Sequence, residues 1–151
     1  MKKLFYLLFA VALCVGFVGC SKDADEQEQS EVSYDELIVG TWSTTKLYDE
    51  QSGTYKKSGV SALQFNADGT GVYSIDDEYG KDDFPSRWTI ENSTLTIRVY
   101  ANMDQFNENK GAWGRDVNEI TKLNKSELVL TYEYEDNNKT WEQVWYLSRS
   151  K

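Results

Sequence analysis

The sequence predicts an all-β domain: an eight-stranded antiparallel up-and-down barrel with a short N-terminal helix. From residue 41 onwards, apolar and polar residues alternate with a period of two, which is typical of strands with one buried face. The chain contains 5 Trp, 10 Tyr and 6 Phe, and aromatic residues favour strands. Turn-forming residues recur at regular intervals, which indicates sequential hairpins.

Eight segments carry this alternation, and most are joined by short turns. The predicted strands are 41–48, 60–66, 71–77, 86–91, 94–100, 115–122, 127–135 and 140–148. The short turns are 67–70, 91–93, 123–126 and 136–139, and the long connections are 49–59, 78–85 and 101–114. Closing the strands into a barrel removes the exposed edges of an open sheet. A two-sheet sandwich is the alternative, but it needs longer crossovers than most of these turns provide. We therefore expect a barrel with a closed base and an open mouth.

A short helix is predicted over 34–39, directly before the first strand. Ser33 and Glu36 have the spacing of a capping box, and Val32 and Leu37 have that of a hydrophobic staple. Gly40 follows at the position where helices commonly end. We expect this helix to plug an opening of the fold.

Residues 1–19 have the order of a secretion signal. Two lysines precede an apolar run over 4–18, which Gly19 and Cys20 follow. The run is shorter than the roughly 20 apolar residues that cross a bilayer. The polar stretch 21–28 also argues against burial of the chain directly downstream. An uncleaved anchor or a buried helix is the alternative to a cleaved signal peptide.

The residues 17–20 resemble a lipobox, the site at which lipoprotein processing acylates a cysteine and cleaves just before it. They read Phe-Val-Gly-Cys, with Phe17 where Leu is usual. The stretch 21–26 resembles the Lys-plus-acidic export signal of surface-exposed Bacteroidetes lipoproteins. These resemblances imply a surface-exposed outer membrane lipoprotein attached through acyl chains on Cys20. Residues 20–32 then form a flexible acidic tether, and 33–151 form the barrel domain.

Cleavage changes both the cysteine count and the charge. Cys14 leaves with the signal and Cys20 becomes lipidated, so the mature chain has neither a free thiol nor a disulfide. The mature chain of 132 residues has room for one domain. Loss of Lys2 and Lys3 leaves 14 basic and 25 acidic residues, a formal charge of −11. That charge repels nucleic acid and anionic headgroups, so we expect no nucleic-acid partner.

A second resemblance concerns the first strand. Gly40-Thr41-Trp42 follows the predicted helix and resembles the Gly-x-Trp motif of lipocalins and the related fatty-acid-binding proteins. In that family the tryptophan packs across the barrel base, and an arginine near the end of the last strand lies over its ring. Arg149 has the corresponding position and shares strand parity with Trp145. The resemblance, closest to compact lipocalin-like lipoproteins of gut Bacteroidetes, covers 37–149. It implies a structural latch of Gly40, Trp42 and Arg149. The family's Thr-Asp-Tyr segment is absent, because 121–124 read Thr-Lys-Leu-Asn.

Residue types that carry catalysis are scarce. The chain has no histidine and the mature form no free thiol, so the common general base, thiolate nucleophile and soft-metal ligands are missing. A carboxylate pair could act on a glycosidic bond, but the acidic residues fall mainly in turns and at polar strand positions. The acidic stretches 76–78 and 82–83 invite a calcium site, yet their spacing does not fit an EF-hand. We therefore expect no enzyme, no metal and no cofactor.

Aromatic residues are the candidates for ligand contacts. Strand parity places Tyr132 and Trp145 on inward faces of the last two strands. Such residues either fill a solid core or line a cavity that suits a ring-bearing, glycan or lipid ligand. Tyr79, Phe84, Phe106 and Trp113 lie in or beside long loops, where they either ring a mouth or act as local anchors.

Strand parity also makes a prediction about Lys46. If Trp42 points inward, Lys46 and Tyr48 follow it and line a pocket with Tyr132 and Trp145, which suits a polar-headed amphiphile. A β-bulge early in the strand is the alternative, and it would turn Lys46 outward.

The favoured function is a lipid-anchored, cell-envelope binding module for a small hydrophobic or aromatic-stacking ligand. Its candidate ligand contacts are Lys46, Tyr48, Tyr132, Trp145, Phe106 and Trp113. The alternative is a non-catalytic interaction protein, a surface-complex subunit or an inhibitor, which contacts its protein partner through loops. An open cavity favours the first, and a filled interior with an exposed apolar patch favours the second.

Overall fold

The structure is a computed structural model and describes residues 33–151. The predicted signal over 1–19, the lipidated Cys20, the tether and the staple residue Val32 lie outside the described residues. Within the described part, no helix has the length and apolar character needed to cross a membrane.

Two short helices and nine strands are present between residues 33 and 151. The helices are α1, Tyr34–Ile38, and α2, Met103–Glu108. The strands are β1 Gly40–Asp49, β2 Thr54–Lys56, β3 Val60–Phe65, β4 Thr70–Asp77, β5 Gly80–Glu91, β6 Thr94–Val99, β7 Gly114–Leu123, β8 Glu127–Asp136 and β9 Lys139–Arg149.

Eight of these strands form a closed antiparallel barrel. They pair in the order β1-β3-β4-β5-β6-β7-β8-β9, and β9 pairs back with β1. The short β2 adds to β1 beside the barrel, with Tyr48 opposite Tyr55. The closed order confirms the predicted eight-stranded barrel and rules out the alternative, a two-sheet sandwich.

The eight predicted strands are all present, but three details of the prediction are wrong. Residues 78–85 are mostly strand, because β4 and β5 continue as a long hairpin to the pair Asp77 and Gly80. The long connections contain β2 and α2, which were not predicted. The mouth, the end opposite α1, therefore has tight turns at 78–79 and 137–138 as well as two long connections.

Helix α1 closes the base of the barrel by a different contact from the predicted capping box. The Ser33 side chain makes no capping hydrogen bond, although its carbonyl accepts from the backbone N–H groups of Glu36 and Leu37. The helix ends at Ile38, which is fully buried, and its carbonyl accepts from Trp42 Nε1 at 2.7 Å. Trp42 therefore holds the helix in place.

The base half of the barrel is packed solid. Large apolar side chains from α1 and several strands are almost completely buried there, and an interior of this kind has the density of an organic crystal. They include Ile38, Trp42, Leu63, Leu95 and Leu128. The interior at the base is therefore filled by side chains, while a cavity of about 610 Å³ lies beside α1, next to Val39, Trp88 and Ile90.

Candidate functional site

Arg149 joins the two ends of the domain at the base. Its Cζ lies 4.3 Å from the centroid of the Trp42 ring, and the two residues are direct partners in the β1–β9 pairing. The guanidinium donates to the carbonyl of Leu37, to that of Val39 at 2.7 Å and to that of Lys125 at 2.7 Å. One side chain thus connects the last strand, α1 and the β7–β8 turn.

Gly40 gives this arrangement its space. Its φ is +137°, a conformation that residues with a Cβ rarely adopt. A Cβ at this position would lie 2.4 Å from Arg149 Nη1. The glycine of the Gly-x-Trp motif therefore stands where the guanidinium needs room. The structure brings together Gly40, Trp42 and Arg149 at the base of the barrel.

The predicted inward position of Lys46 and Tyr48 is wrong. The β1–β9 register shifts between Thr44 and Lys46, which is the β-bulge of the alternative prediction. Beyond the bulge the parity is reversed, so Leu47 is buried in the interior and Lys46 is exposed. Neither Lys46 nor Tyr48 lines an interior pocket, and the amphiphile hypothesis built on Lys46 fails with it.

Lys46 instead lies on the outside of the barrel among tyrosines. Its Nζ is 4.7 Å from the ring centroid of Tyr55 and 4.5 Å from that of Tyr146. The rings of Tyr48 and Tyr55 are 5.3 Å apart. We call these four residues the outer tyrosine surface.

The two predicted loop aromatics have different positions. Phe106 is not at the mouth, because α2 folds back on the outside of β5, where Phe106 packs on Tyr100 at 5.6 Å and beneath Arg87 at 4.4 Å. Trp113 is 54% exposed, and its ring meets the edge of Phe84 at 5.4 Å. Phe84 is the cross-strand partner of the buried Tyr73, so Trp113 stands beside the mouth.

The mouth half of the interior contains an acid that the sequence analysis did not select. Tyr73 donates a hydrogen bond to Asp116 Oδ2 at 2.7 Å. Burial raises the pKa of the Asp116 carboxyl, and the Tyr73 hydroxyl only partly opposes that shift. Burial, together with the charge of Asp116, also raises the pKa of Tyr73. A weakly solvated carboxyl therefore faces the inside of the barrel.

Several interior polar atoms have no hydrogen-bond partner among the described residues. Asn118 is 1% exposed, and both its Nδ2 and its Oδ1 are without one. The same holds for the indole N–H groups of Trp141 and Trp145. Asn118 pairs across the sheet with Leu95, and Trp145 pairs with Leu130, so both face the core. Each such group costs about 1–3 kcal/mol unless something satisfies it.

A cleft lies on the side of the barrel between β7 and β8. The backbones of β7 and β8 pair from Glu119 opposite Thr131 to Leu123 opposite Leu128. On the mouth side of Glu119 these two strands are not paired. A cleft of about 470 Å³ lies where they separate. Its lining includes Arg115, Val117, Glu133, Thr131, Asn118 and Tyr132. Most of these residues face outward and Asn118 is 1% exposed, so the cleft is a groove on the outer surface of the barrel.

Asp49 fastens the first long connection to the mouth. Its carboxylate is 2% exposed, forms an ion pair with Lys56 and accepts hydrogen bonds at 2.9 Å from Ser52 Oγ and the Tyr134 hydroxyl. The hydrogen bond from Lys56, followed by that from Ser52, lowers the pKa of Asp49 to about 2. The charge of Asp49 is therefore part of the folded structure.

This lowered pKa predicts a loss of stability in acid. The folded pKa of Asp49 is about 2 against an ordinary value of 3.8, so its contribution is complete above about pH 4 and is lost as the pH falls towards 2. We expect Asp49→Asn to lower the free energy of unfolding at pH 7, with a deficit that shrinks below pH 4. Urea unfolding from pH 7 to pH 2 measures this, with the exposed Asp76→Asn as control. A deficit that is absent at pH 7, or constant down to pH 2, would contradict it.

Comparisons with known proteins identify the family. A family model described as a lipocalin-like domain matches residues 38–130. The chain belongs to this family. The crystal structure of a lipocalin-like protein from Bacteroides uniformis ATCC 8492 is similar to it, with 15% identity, a TM-score of 0.52 and coverage of 75% of this chain and 98% of that chain. An uncharacterized protein from Bacteroides eggerthii DSM 20697 has 11% identity, a TM-score of 0.51 and coverage of 75% and 99%.

The family assignment and these neighbours confirm the predicted lipocalin-like fold. A comparison with curated proteins finds no match. The lipocalin-like fold supports a small-ligand binding module in general, and members of this fold family are generally binding proteins. Within residues 33–151, no three acidic side chains lie close enough together to hold a metal ion.

Proposed function

We propose that this protein is a lipid-anchored binding module of the cell envelope that holds a small hydrophobic or aromatic molecule in the mouth half of its barrel. One observation carries the proposal: eight strands close into a barrel of the lipocalin-like family, a fold that in general binds small ligands. Inward-facing aromatic side chains such as Trp145 and Tyr132 give that interior rings on which a ligand can pack.

The aromatic side chains of the interior suit a ligand with an apolar body. Trp145 is 8% exposed and faces the interior, while Tyr132 is half-buried beside the cleft. Aromatic rings stack on a flat ligand at about 0.5–1.5 kcal/mol beyond the burial of area. In this proposal the apolar body packs on Tyr132 and Trp145, and Trp113 stands beside the mouth.

Binding can be tested with a neutral aromatic dye, N-phenyl-1-naphthylamine. We expect saturable binding with one site per chain and energy transfer from the interior tryptophans. Tyr132→Ala should weaken dye binding about tenfold, which corresponds to about 1.4 kcal/mol of lost contact. The matched control is Tyr55→Ala on the outer tyrosine surface, which should leave the Kd unchanged. Dye binding that depends on Tyr55 and not on Tyr132 would contradict an interior site.

The anchoring half of the proposal rests on the lipobox resemblance at 17–20. Because the mature chain has a formal charge of −11, attachment to an anionic membrane depends on acyl chains at Cys20. We expect Cys20→Ala to move the protein from the membrane fraction to the soluble fraction, and Cys14→Ala to leave it in the membrane fraction. A Cys20→Ala protein that still sediments with membranes after a salt wash would contradict lipidation. Protease added to intact cells then tests surface exposure.

A second candidate function is that of an interaction protein. The outer tyrosine surface favours it, because Tyr55 is 59% exposed and lies near two further aromatic rings, and exposed tyrosines are common contact residues in protein interfaces. Affinity purification of the membrane protein separates the two candidates. A partner subunit that is lost in Tyr55→Ala, with dye binding retained, would support the second function.

A further inference from the structure

Helix α1 covers only part of the barrel base. It packs against β7, which lies across the barrel from the β3–β4 turn in the strand order. The cavity of about 610 Å³ beside α1 lies on the side that the helix leaves open, between α1, the β3–β4 turn and the end of β5. Its volume is in the usual range of small-molecule sites. We call it the base groove, and its lining includes Asp35, Glu36, Val39, Ala67, Trp88 and Ile90.

The floor of the base groove is apolar and is fixed by the fold. Val39 and Ile90 are partly buried and pack against the core. The indole N–H of Trp88 donates to the carbonyls of Asn66 and Thr70 at 3.2 and 3.0 Å, and these bonds hold the β3–β4 turn against β5. Because the polar atom of the indole is already satisfied, the rest of the ring offers an occupant only apolar contact. The floor therefore suits a molecule with an apolar body.

The α1 side of the base groove carries negative charge. Asp35 and Glu36 are exposed residues of the first helical turn, and both line the groove. Neither forms an ion pair with a described residue, and no described lysine or arginine lines the groove. The formal charge of the whole chain, −9, adds to the attraction of cations. An anionic head group would be repelled here, whereas an ammonium group would be attracted.

We infer that the base groove binds a small amphiphilic amine. Its apolar body packs on Val39, Trp88 and Ile90, and its ammonium group lies beside Asp35 and Glu36. The volume suits one small molecule from solution, and the two acids disfavour a fatty acid or an anionic lipid. This site is separate from the mouth and does not depend on the ligand proposed there.

Three straight-chain probes that differ only in their head group test the charge selection. The mature protein, isotope-labelled at its tryptophan indole nitrogens, is titrated with hexylamine, hexanol or hexanoate, and NMR follows the indole N–H resonances. We expect hexylamine to shift the Trp88 resonance saturably and to leave that of Trp145 unchanged. Hexylamine should bind about tenfold more tightly than hexanoate, and its affinity should fall with added salt, because exposed charge pairs are weak and screened.

Neutralising the two acids tests their role in the selection. In the double variant Asp35→Asn, Glu36→Gln, the affinities for hexylamine and hexanoate should become equal within about twofold. The control double variant Asp76→Asn, Glu78→Gln removes the same charge from exposed positions at the mouth end. It should retain the preference for hexylamine.

Filling the groove tests its location. Ala67 is exposed on the β3–β4 turn and lines the groove, so Ala67→Trp places an indole inside it. This variant should lose the hexylamine-induced shift of the Trp88 resonance. Ala101→Trp, at an exposed position between β6 and α2, is the control and should retain the shift. Circular dichroism checks that both variants are folded.

Each outcome supports or overturns one part of the inference. If hexanol or hexanoate binds as tightly as hexylamine, or if the Asp35→Asn, Glu36→Gln variant retains the preference, the selection of an amine is wrong. If no probe shifts the Trp88 resonance, or if Ala67→Trp retains the shift, the base groove is not the binding site. Tyr132→Ala should weaken binding of the dye at the mouth and leave hexylamine binding unchanged, which separates this inference from the proposed function.

Discussion

Replacing Trp42 by alanine should lower the free energy of unfolding by about 3–5 kcal/mol, as large truncations in a packed core do. The side chain is fully buried, its indole N–H donates to the Ile38 carbonyl at 2.7 Å, and Arg149 covers its ring. The substitution therefore opens a cavity and leaves the Ile38 carbonyl without its partner. Urea unfolding at neutral pH measures the change.

Trp113→Ala is the matched control, because Trp113 is 54% exposed; it should cost less than about 1 kcal/mol. A double-mutant cycle with Arg149→Ala should give a coupling energy of about 0.5–3 kcal/mol, as contacting residues do. Equal effects of the two tryptophan substitutions, or additivity with Arg149, would contradict a latch at the base.

Gly40→Ala should cost about 2–4 kcal/mol. A non-glycine residue at a φ of +137° is strained by about 1–3 kcal/mol. The added Cβ would also meet Arg149 Nη1 at 2.4 Å, so the guanidinium has to leave its carbonyl partners. The effect combines backbone strain with the loss of hydrogen bonds from a partly buried, charged donor.

Gly59→Ala provides the control for this substitution, because a Cβ there meets nothing within 4 Å. It should change the free energy of unfolding by less than about 1 kcal/mol. The same urea titrations compare both variants. A Gly40→Ala protein as stable as Gly59→Ala would mean that the guanidinium does not occupy the space beside Gly40.

Strong local signals made most of the barrel predictable from sequence. The alternation of apolar and polar residues located all eight barrel strands. Turns such as 136–139 were recognisable because they contain residues that favour turn geometry. The failures have physical causes. Strand β2 has only three residues, too few for a period of two to show. The start of β5 reads Gly-Lys-Asp-Asp, which disfavours strand locally, and pairing with β4 overrides that preference.

Helix α2 carried a signal that was missed. Asn102 is its N-cap and accepts from the Gln105 backbone N–H at 3.0 Å, and asparagine is a favoured capping residue. Because α2 was not predicted, Phe106 was expected at the mouth. The helix instead places its ring on the outer face of β5.

The candidate site was harder to predict than the barrel. The inward orientation of Lys46 was predicted from strand parity. A β-bulge reverses that parity, and it has no reliable sequence signature. Asn118 had a usable signal, because it shares inward parity with Ile120, and a polar residue on a buried face calls for a partner. The role of Asp49 had no signal in the sequence, because its partners Lys56 and Tyr134 come close to it only after folding.

The central claim is that the mouth half of the barrel holds a small molecule, and native mass spectrometry of the lipoprotein isolated under mild conditions from its own host tests it most directly. The proposal predicts one small-molecule adduct per chain that is released on unfolding. A spectrum showing only the mass of the lipidated chain, from protein that remains folded, would contradict the claim.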